Sequence, residues 1–284
     1  MAESICYLNG RLIPLAEATV SVLDRGFIFG DAIYEVIPVF DGVAFRLSEH
    51  LIRLGASLAA VSIKDPLPTH RWVSVIEELI GRNCNGDQSI YIQVTRGVAP
   101  RDHVLHSAVD PTVFIMSSPL SVATETTPIS AVTVPDLRWQ RCDIKSTSLL
   151  ANVMSRAHAS VHGSQEAIFI RDGYVTEAAA SNIFIAHEGM VKTPPLSTRI
   201  LAGVTRNLLV ELLDREDPRV HEESVSELEL KTADEVWVTS SSRELVPVVR
   251  IDDKSVGTGE VGPVFRRVKS IYQDYKDSVT SNIC

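Results

Sequence analysis

Four cysteines in 284 residues, none in a CxxC pair, leave no zinc ribbon and no dithiol redox motif. Cys6, Cys84, Cys142 and Cys284 follow no pattern, which fits a reducing compartment, so a cytoplasmic protein is expected. Long apolar runs are also missing. Nothing reaches membrane-spanning length, and the N-terminus lacks a basic segment followed by an apolar core, so neither a membrane partner nor a signal peptide is expected. Positive charge is in deficit: 27 Lys and Arg stand against 36 Asp and Glu, for a net charge of -9 and a pI near 5.4. No basic stripe offsets that balance, which excludes nucleic acid as the main partner. A small anionic substrate is not excluded, because a few local arginines outweigh a distant negative field. The chain has neither repeats nor low-complexity segments.

What is present can bury a sizeable core, since 45% of the residues are hydrophobic. Cys6–Leu8, Asn9-Gly10 and Arg11–Ile13 read as a hairpin, with Asn-Gly supplying positive φ angles. Ile33–Phe40, Asp41-Gly42 and Val43–Leu47 read as a second. Ahead of it, Asp24–Asp31 carries two glycines that open unusual backbone conformations. Ser48 is expected to cap a helix with Leu51, Leu54 and Leu58 on one face and Arg53 off that row. A helix over Thr69–Arg82 and strands over Ser89–Gly97 and Thr112–Ser118 follow. Ser117–Ser121 reads as a linker.

The second half alternates strands and helices. Ile129–Val134 is a strand, and Glu166–Ile170 with Tyr174–Thr176 flanks an Asp172-Gly173 turn. Asn182–Ala186 is a strand, Gly203–Leu213 a helix, and Ser226–Glu229 a capping box. Strands over Glu235–Thr239 and Leu245–Ile251 precede a last helix from about Val264 to Tyr275. Gly257–Gly262 spells a dinucleotide fingerprint, but Pro263 follows directly and no second strand can complete the unit, so it reads as a loop. His158 with His162, and His103 with His106, have metal-like spacings without further ligands, so no metal is expected.

Lys145 organises the chemistry. Ser146–Ser148 read as helix caps, and Leu149, Leu150, Val153, Met154 and Ala157 repeat at helical spacing. The lysine would sit just before a helix start, where a positive charge is unwelcome and proton loss is eased. Glu177 is followed by four small residues, Ala178–Ser181, which let a flat ligand approach the backbone. Leu201–Arg206 places glycine and threonine at a helix start, whose unpaired N–H groups suit a phosphate. Thr239–Ser242 ends a strand with a row of hydroxyls. A loop lysine, a hairpin-end carboxylate and a solvated turn would each be unremarkable alone. Together they match the needs of pyridoxal 5′-phosphate: a Schiff-base lysine, a carboxylate for the pyridine nitrogen and donors for the phosphate.

These segments resemble the fold type IV pyridoxal-phosphate enzymes, the D-amino-acid and branched-chain aminotransferase family. The resemblance runs from Tyr7–Gly10 to the final helix, through Arg25–Asp31, His50–Leu54, the Lys145 segment, Thr176-Glu177 with Ser181-Asn182, Leu201–Arg206 and Thr239–Ser241. It implies an α/β chain of α+β character in two domains. These are a smaller N-terminal α/β domain, 1–120, and a larger C-terminal domain, 121–284, with a barrel-like sheet and the catalytic lysine. It implies that Lys145 forms the Schiff base and acts as general base, and that Glu177 pairs with the pyridinium nitrogen. Leu201 would pack on the ring. Arg53, Val204, Thr205, Ser240 and Ser241 would hold the phosphate. Pro100–His103 is similar to the Arg-x-His carboxylate trap of D-amino-acid aminotransferases, here Arg101 and His103 completed by Tyr34. In the family this loop reaches the neighbouring subunit, so a homodimer is implied. Arg243 stands where related sequences often have a smaller polar residue, and is expected at the rim.

The implied reaction exchanges the amino group of a D-alanine-like amino acid with 2-oxoglutarate or pyruvate. Within the fold, the alternatives are a branched-chain L-aminotransferase, an aminodeoxychorismate lyase and an amine transaminase. Arg101 and His103 favour the D-amino-acid reading over all three. A non-catalytic interaction module with an idle Lys145 is the alternative of another class.

Overall fold

The computed structural model describes residues 4–83, 86–105, 109–120, 127–214, 216 and 218–280. Cys84, His106, Ser121 and Cys284 lie outside them. Contacts divide the chain into two units, one of Met1–Val122 with Ile144–Ser148, the other of Ala123–Asp143 with Leu149–Cys284.

The first unit is built on a six-stranded sheet. Its strands are β1 (Ile5–Leu8), β2 (Arg11–Pro14), β3 (Ala32–Phe40), β4 (Val43–Ala44), β5 (Gln88–Thr95) and β6 (Thr112–Pro119), in the order β2-β1-β6-β5-β3-β4. Every pairing is antiparallel, as hairpin connections allow. Asn9 and Gly10 take the φ values of 48° and 90° that the first turn needs. The core sets Ile33, Ile37, Ile90 and Ile92 of the sheet against Leu54 and Leu58 of α2 (Leu47–Ala60) and Trp72, Ile76 and Leu79 of α3 (Thr69–Asn83).

Local chemistry departs from expectation at several points. The strand after Asp41-Gly42 is two residues long, and α2 begins at Leu47 with Arg46, not Ser48, as its N-cap at φ 55°. The expected linker is strand through Pro119, because Gln88–Thr95 pairs with Thr112–Pro119 along its whole length. Asp24–Asp31 holds a short helix, α1 (Arg25–Phe29), capped by the Asp24 carboxylate and closed by Gly30 at φ 66°. Gly26 is needed there for space, since a Cβ would lie 2.5 Å from Thr95 Cγ2.

The second unit holds one curled sheet of nine strands. They are β7 (Ile129–Pro135), β8 (Glu166–Arg171), β9 (Tyr174–Ala178), β10 (Asn182–His187), β11 (Met190–Thr193), β12 (Val220–Glu222), β13 (Glu235–Ser240), β14 (Glu244–Ile251) and β15 (Lys254–Ser255). The order is β12-β11-β10-β13-β14-β7-β8-β9, with β15 beside β14. Asp172 and Gly173, both at positive φ, turn β8 into β9. Helices α4 (Leu150–Val161), α5 (Val204–Leu213), α6 (Glu227–Thr232) and α7 (Pro263–Thr280) accompany the sheet. The capping box on α6 forms in full. The glycine-rich Gly257–Gly262 is a loop, as expected. Beyond it the Glu235 carboxylate accepts the Val264 and Phe265 N–H groups and so caps α7.

Two expectations about the Lys145 region are corrected. Ser146–Ser148 do not cap α4; its N-cap is Leu149, without a side-chain bond. Ile144–Ser148 groups with the first unit rather than with the C-terminal domain. The reason is a backbone ladder to β3: Tyr34 N–H donates to Lys145 O (3.0 Å) and Thr147 N–H to Ala32 O (3.0 Å). The expected helix is present as α4, with much of its apolar repeat exposed. Leu150, Val153 and Met154 are 73%, 60% and 64% exposed.

Candidate active site

In the first unit, β3 sends Tyr34 and Glu35 to opposite faces, as strand alternation requires. The Lys145 ammonium lies 4.2 Å from the centre of the Tyr34 ring, and the Lys145 N–H donates to the Ser57 hydroxyl of α2 (3.3 Å). Tyr34 stacks on Tyr91 with ring centres 5.9 Å apart. Burial, with a contribution from Tyr34, pushes the Tyr91 phenol up to about 12.

On the other face Glu35, fully buried, meets α2. Arg53 Nε donates to Glu35 Oε1 (2.7 Å) and Arg53 Nη2 to Oε2 (2.9 Å). His50, one turn earlier, bonds Oε2 through Nδ1 at 2.9 Å. Burial pushes Glu35 upward, but the Arg53 charge and the bonds from Arg53 and His50 outweigh it and hold the carboxyl well below its usual range. His50 is lowered, first by burial, against the pull of Glu35; the Arg53 and Lys145 charges add to the lowering. Burial thus favours the neutral imidazole, and a proton on Nδ1 makes the ring a donor to the Glu35 carboxylate, which only accepts.

Arg101 and His103 lie exposed in the loop after β5 and share one neighbour, Phe29. The Arg101 guanidinium is 5.6 Å, and the His103 ring 5.6 Å, from its centre. Arg25 approaches Phe29 at 4.9 Å and donates to the Asp102 carbonyl (2.6 Å), which ties the loop to α1. Among the described residues, no hydrogen bond joins Tyr34 to Arg101 or His103.

In the second unit, Glu177 lies almost buried near the end of β9. One carboxylate oxygen pairs with Arg138, and the other accepts from the Leu201 N–H (3.0 Å) and Asn182 Nδ2 (3.3 Å). Asn182 also donates to the Leu201 carbonyl (2.9 Å), so the Leu201 peptide is held on both sides. Arg138 is fixed in turn by Asp136, through Nε and Nη2 at 2.9 Å each, and lies 4.3 Å over the Phe169 ring. Burial works against the Arg138 charge, but the Asp136 bond and the Glu177 and Asp136 charges raise it further above its ordinary value.

Gly203 is the N-cap of α5 and provides no side-chain cap for the first-turn N–H groups at Val204 and Thr205. A Cβ there would fall 2.0 Å from Asn182 Oδ1. At the end of β13, Ser240 Oγ accepts from the Arg243 N–H (3.2 Å), while Thr239 Oγ1 is buried without a partner. Ser241 follows in the turn. Arg243 is drawn inward: its guanidinium pairs with the fully buried Glu166 and donates to the Ser181 hydroxyl (3.0 Å). No group of three or more His, Cys, Asp or Glu among the described residues could hold a metal.

Sequence reading gave no site role to Glu35, His50, Asp136, Arg138 or Asn182. A charge inside the otherwise apolar Ile33–Phe40, with His and Arg three apart on the next helix, was the available signal for the first pair. Asp136 and Arg138, two apart after a strand, carried no comparable mark.

A model of the amino-transferase class IV family matches residues 32–251. The chain is 39% identical over 268 residues to a D-alanine aminotransferase of Bacillus licheniformis, spanning 94% of this chain and 95% of that one. To a D-alanine aminotransferase of Staphylococcus haemolyticus it is 40% identical over 278 residues, 97% and 99% of the two chains. Among solved structures it is similar to the branched-chain aminotransferase of the archaeon Thermoproteus uzoniensis, crystallised with norvaline. There the TM-score is 0.88 at 25% identity, over 99% of this chain and 96% of the other.

Proposed function

The chain belongs to the amino-transferase class IV family and has the type IV aminotransferase fold, and on that premise we propose that it exchanges the amino group of a D-amino acid, D-alanine foremost, with a 2-oxo acid. The observation that carries this reading is near-full-length identity of 39–40% to D-alanine aminotransferases. The neighbouring branched-chain enzyme supports a second reading, an L-amino-acid aminotransferase, but at lower identity.

The donor set suits pyridoxal 5′-phosphate. In the second unit, an orphaned buried hydroxyl at Thr239 and an α5 start without a side-chain cap are what a phosphate needs. When bound, that cofactor supplies an aldehyde for a lysine amine and a ring that takes up electrons from the substrate's α-carbon.

In this reading, Lys145 Nζ holds the cofactor, then takes the substrate's α-proton and returns a proton as general base and acid. Glu177, oriented by Arg138, Asn182 and the Leu201 N–H, keeps the ring nitrogen protonated. Leu201 would pack on the ring. Arg53, the Val204 and Thr205 N–H groups and the Ser240 and Ser241 hydroxyls hold the phosphate. Arg101, His103 and Tyr34 bind the substrate carboxylate, Arg101 with two parallel hydrogen bonds. The proposed setting is a cytoplasmic homodimer. Its support is the small number of unpatterned cysteines in the sequence and the exposed apolar residues of α4, which favour a covering partner.

The test is an assay of D-alanine and L-leucine, each with 2-oxoglutarate. Turnover of D-alanine, its loss in Lys145→Ala and a raised KM in Arg101→Ala are expected. Turnover of L-leucine alone would reject the reading, and D-alanine kinetics untouched by Arg101→Ala would reject the trap.

A further inference from the structure

The first unit buries a carboxylate that nothing above uses. Glu35 is 0% exposed, on a strand whose neighbouring positions, Ile33 and Ile37, are apolar. A buried ion pair contributes little net stability over apolar side chains of equal volume, because desolvation offsets the attraction. Its value is geometric. Two bonds from one edge of the planar Arg53 guanidinium, at 2.7 and 2.9 Å, fix both its plane and its rotation. His50 holds Oε2 at 2.9 Å and stops the carboxylate from turning. Without Glu35, the flexible arginine side chain would sample several rotamers, and a phosphate would have to order it on binding.

We propose that Glu35 is a positioning residue, locking Arg53 in the orientation in which it receives the cofactor phosphate, with His50 holding the carboxylate in place. This rests on the reading of Arg53 as a phosphate holder.

The experiment measures equilibrium binding of pyridoxal 5′-phosphate, and of pyridoxal without phosphate, to the full chain stripped of cofactor. The variants are Glu35→Gln, Arg53→Gln and the double variant. Outer partners of metal ligands set affinity by about 10–100-fold, and a loss of that order is expected for the phosphorylated form in Glu35→Gln. Pyridoxal binding should be unchanged. In the Arg53→Gln background the second substitution should add nothing, because Glu35 acts through Arg53. A merely structural role would weaken both ligands and persist without Arg53; that result overturns the inference. Wild-type phosphate preference in Glu35→Gln, with preference lost in Arg53→Gln, overturns it while leaving the reading of Arg53 intact. Unchanged preference in Arg53→Gln removes both. Should Glu35→Gln not fold, Glu35→Asp keeps the charge, retracts it by one methylene and carries the same comparison.

Discussion

At the scale of single residues, three carboxylates largely shielded from water each face one or two arginines. Asp31 lies against Arg25 and Arg96, Glu35 against Arg53, and Asp136 against Arg138 and Arg171. Burial raises each of these carboxyls, and the facing arginines outweigh it and hold them below their ordinary range. A depressed carboxyl stabilises the fold above its unfolded value, about 4, and that stability is lost as pH falls through the folded value. His50 adds an earlier stage. Its neutral form is favoured in the fold, while the unfolded chain takes up a proton below about pH 6.5, so stability declines from there downward. Urea midpoints measured from pH 7 to pH 3 should therefore fall in two stages. His50→Gln should remove the first and leave the second. A single stage in the parent protein would contradict the neutral imidazole.

At the scale of elements, helix starts carry different duties. The α6 cap is purely structural, with Ser226 and Glu229 exchanging bonds. Ser226→Ala should cost about 1 kcal/mol, read as a lower melting temperature, without changing cofactor affinity. The α5 start is crowded by Asn182. Gly203→Ala would press on Asn182, which positions both Glu177 and the Leu201 peptide. Overpacking of this kind costs about 1–3 kcal/mol, and cofactor affinity should fall with it. Equal behaviour of the two variants in a cofactor titration would show that Asn182 has no part in the site. Hairpins and the α6 cap were legible because Asn-Gly, Asp-Gly and Ser-x-x-Glu act locally. The caps assigned to Ser48 and Ser146–Ser148 were misplaced because a serine offers a cap wherever the backbone allows, and backbone pairing elsewhere decided where each helix began.

At the scale of the molecule, each unit has its own core, one on the sheet of β3 and β5, the other on that of β10 and β13. The exposed Leu150, Val153 and Met154 on α4 are the support for the proposed homodimer. Sedimentation should give twice the 31.1 kDa chain mass, and Val153→Glu should shift it toward the monomer. A monomeric parent protein would reject the dimer and leave the chemistry of Lys145 untouched. The chain's own order of residues determined the hairpins, the α6 cap and the alternation of strand and helix after residue 129, and it suggested the groups proposed for a phosphorylated pyridine. Those features depend on neighbours a few positions apart or on ordered motifs. Tertiary structure alone decided that Lys145 ladders onto β3, that Glu35 grips Arg53 and that Arg138 and Asn182 grip Glu177. Except for Asn182 and Glu177, five residues apart, these partners are distant along the chain, and burial, which removes water as a partner, makes each polar group find its counterpart.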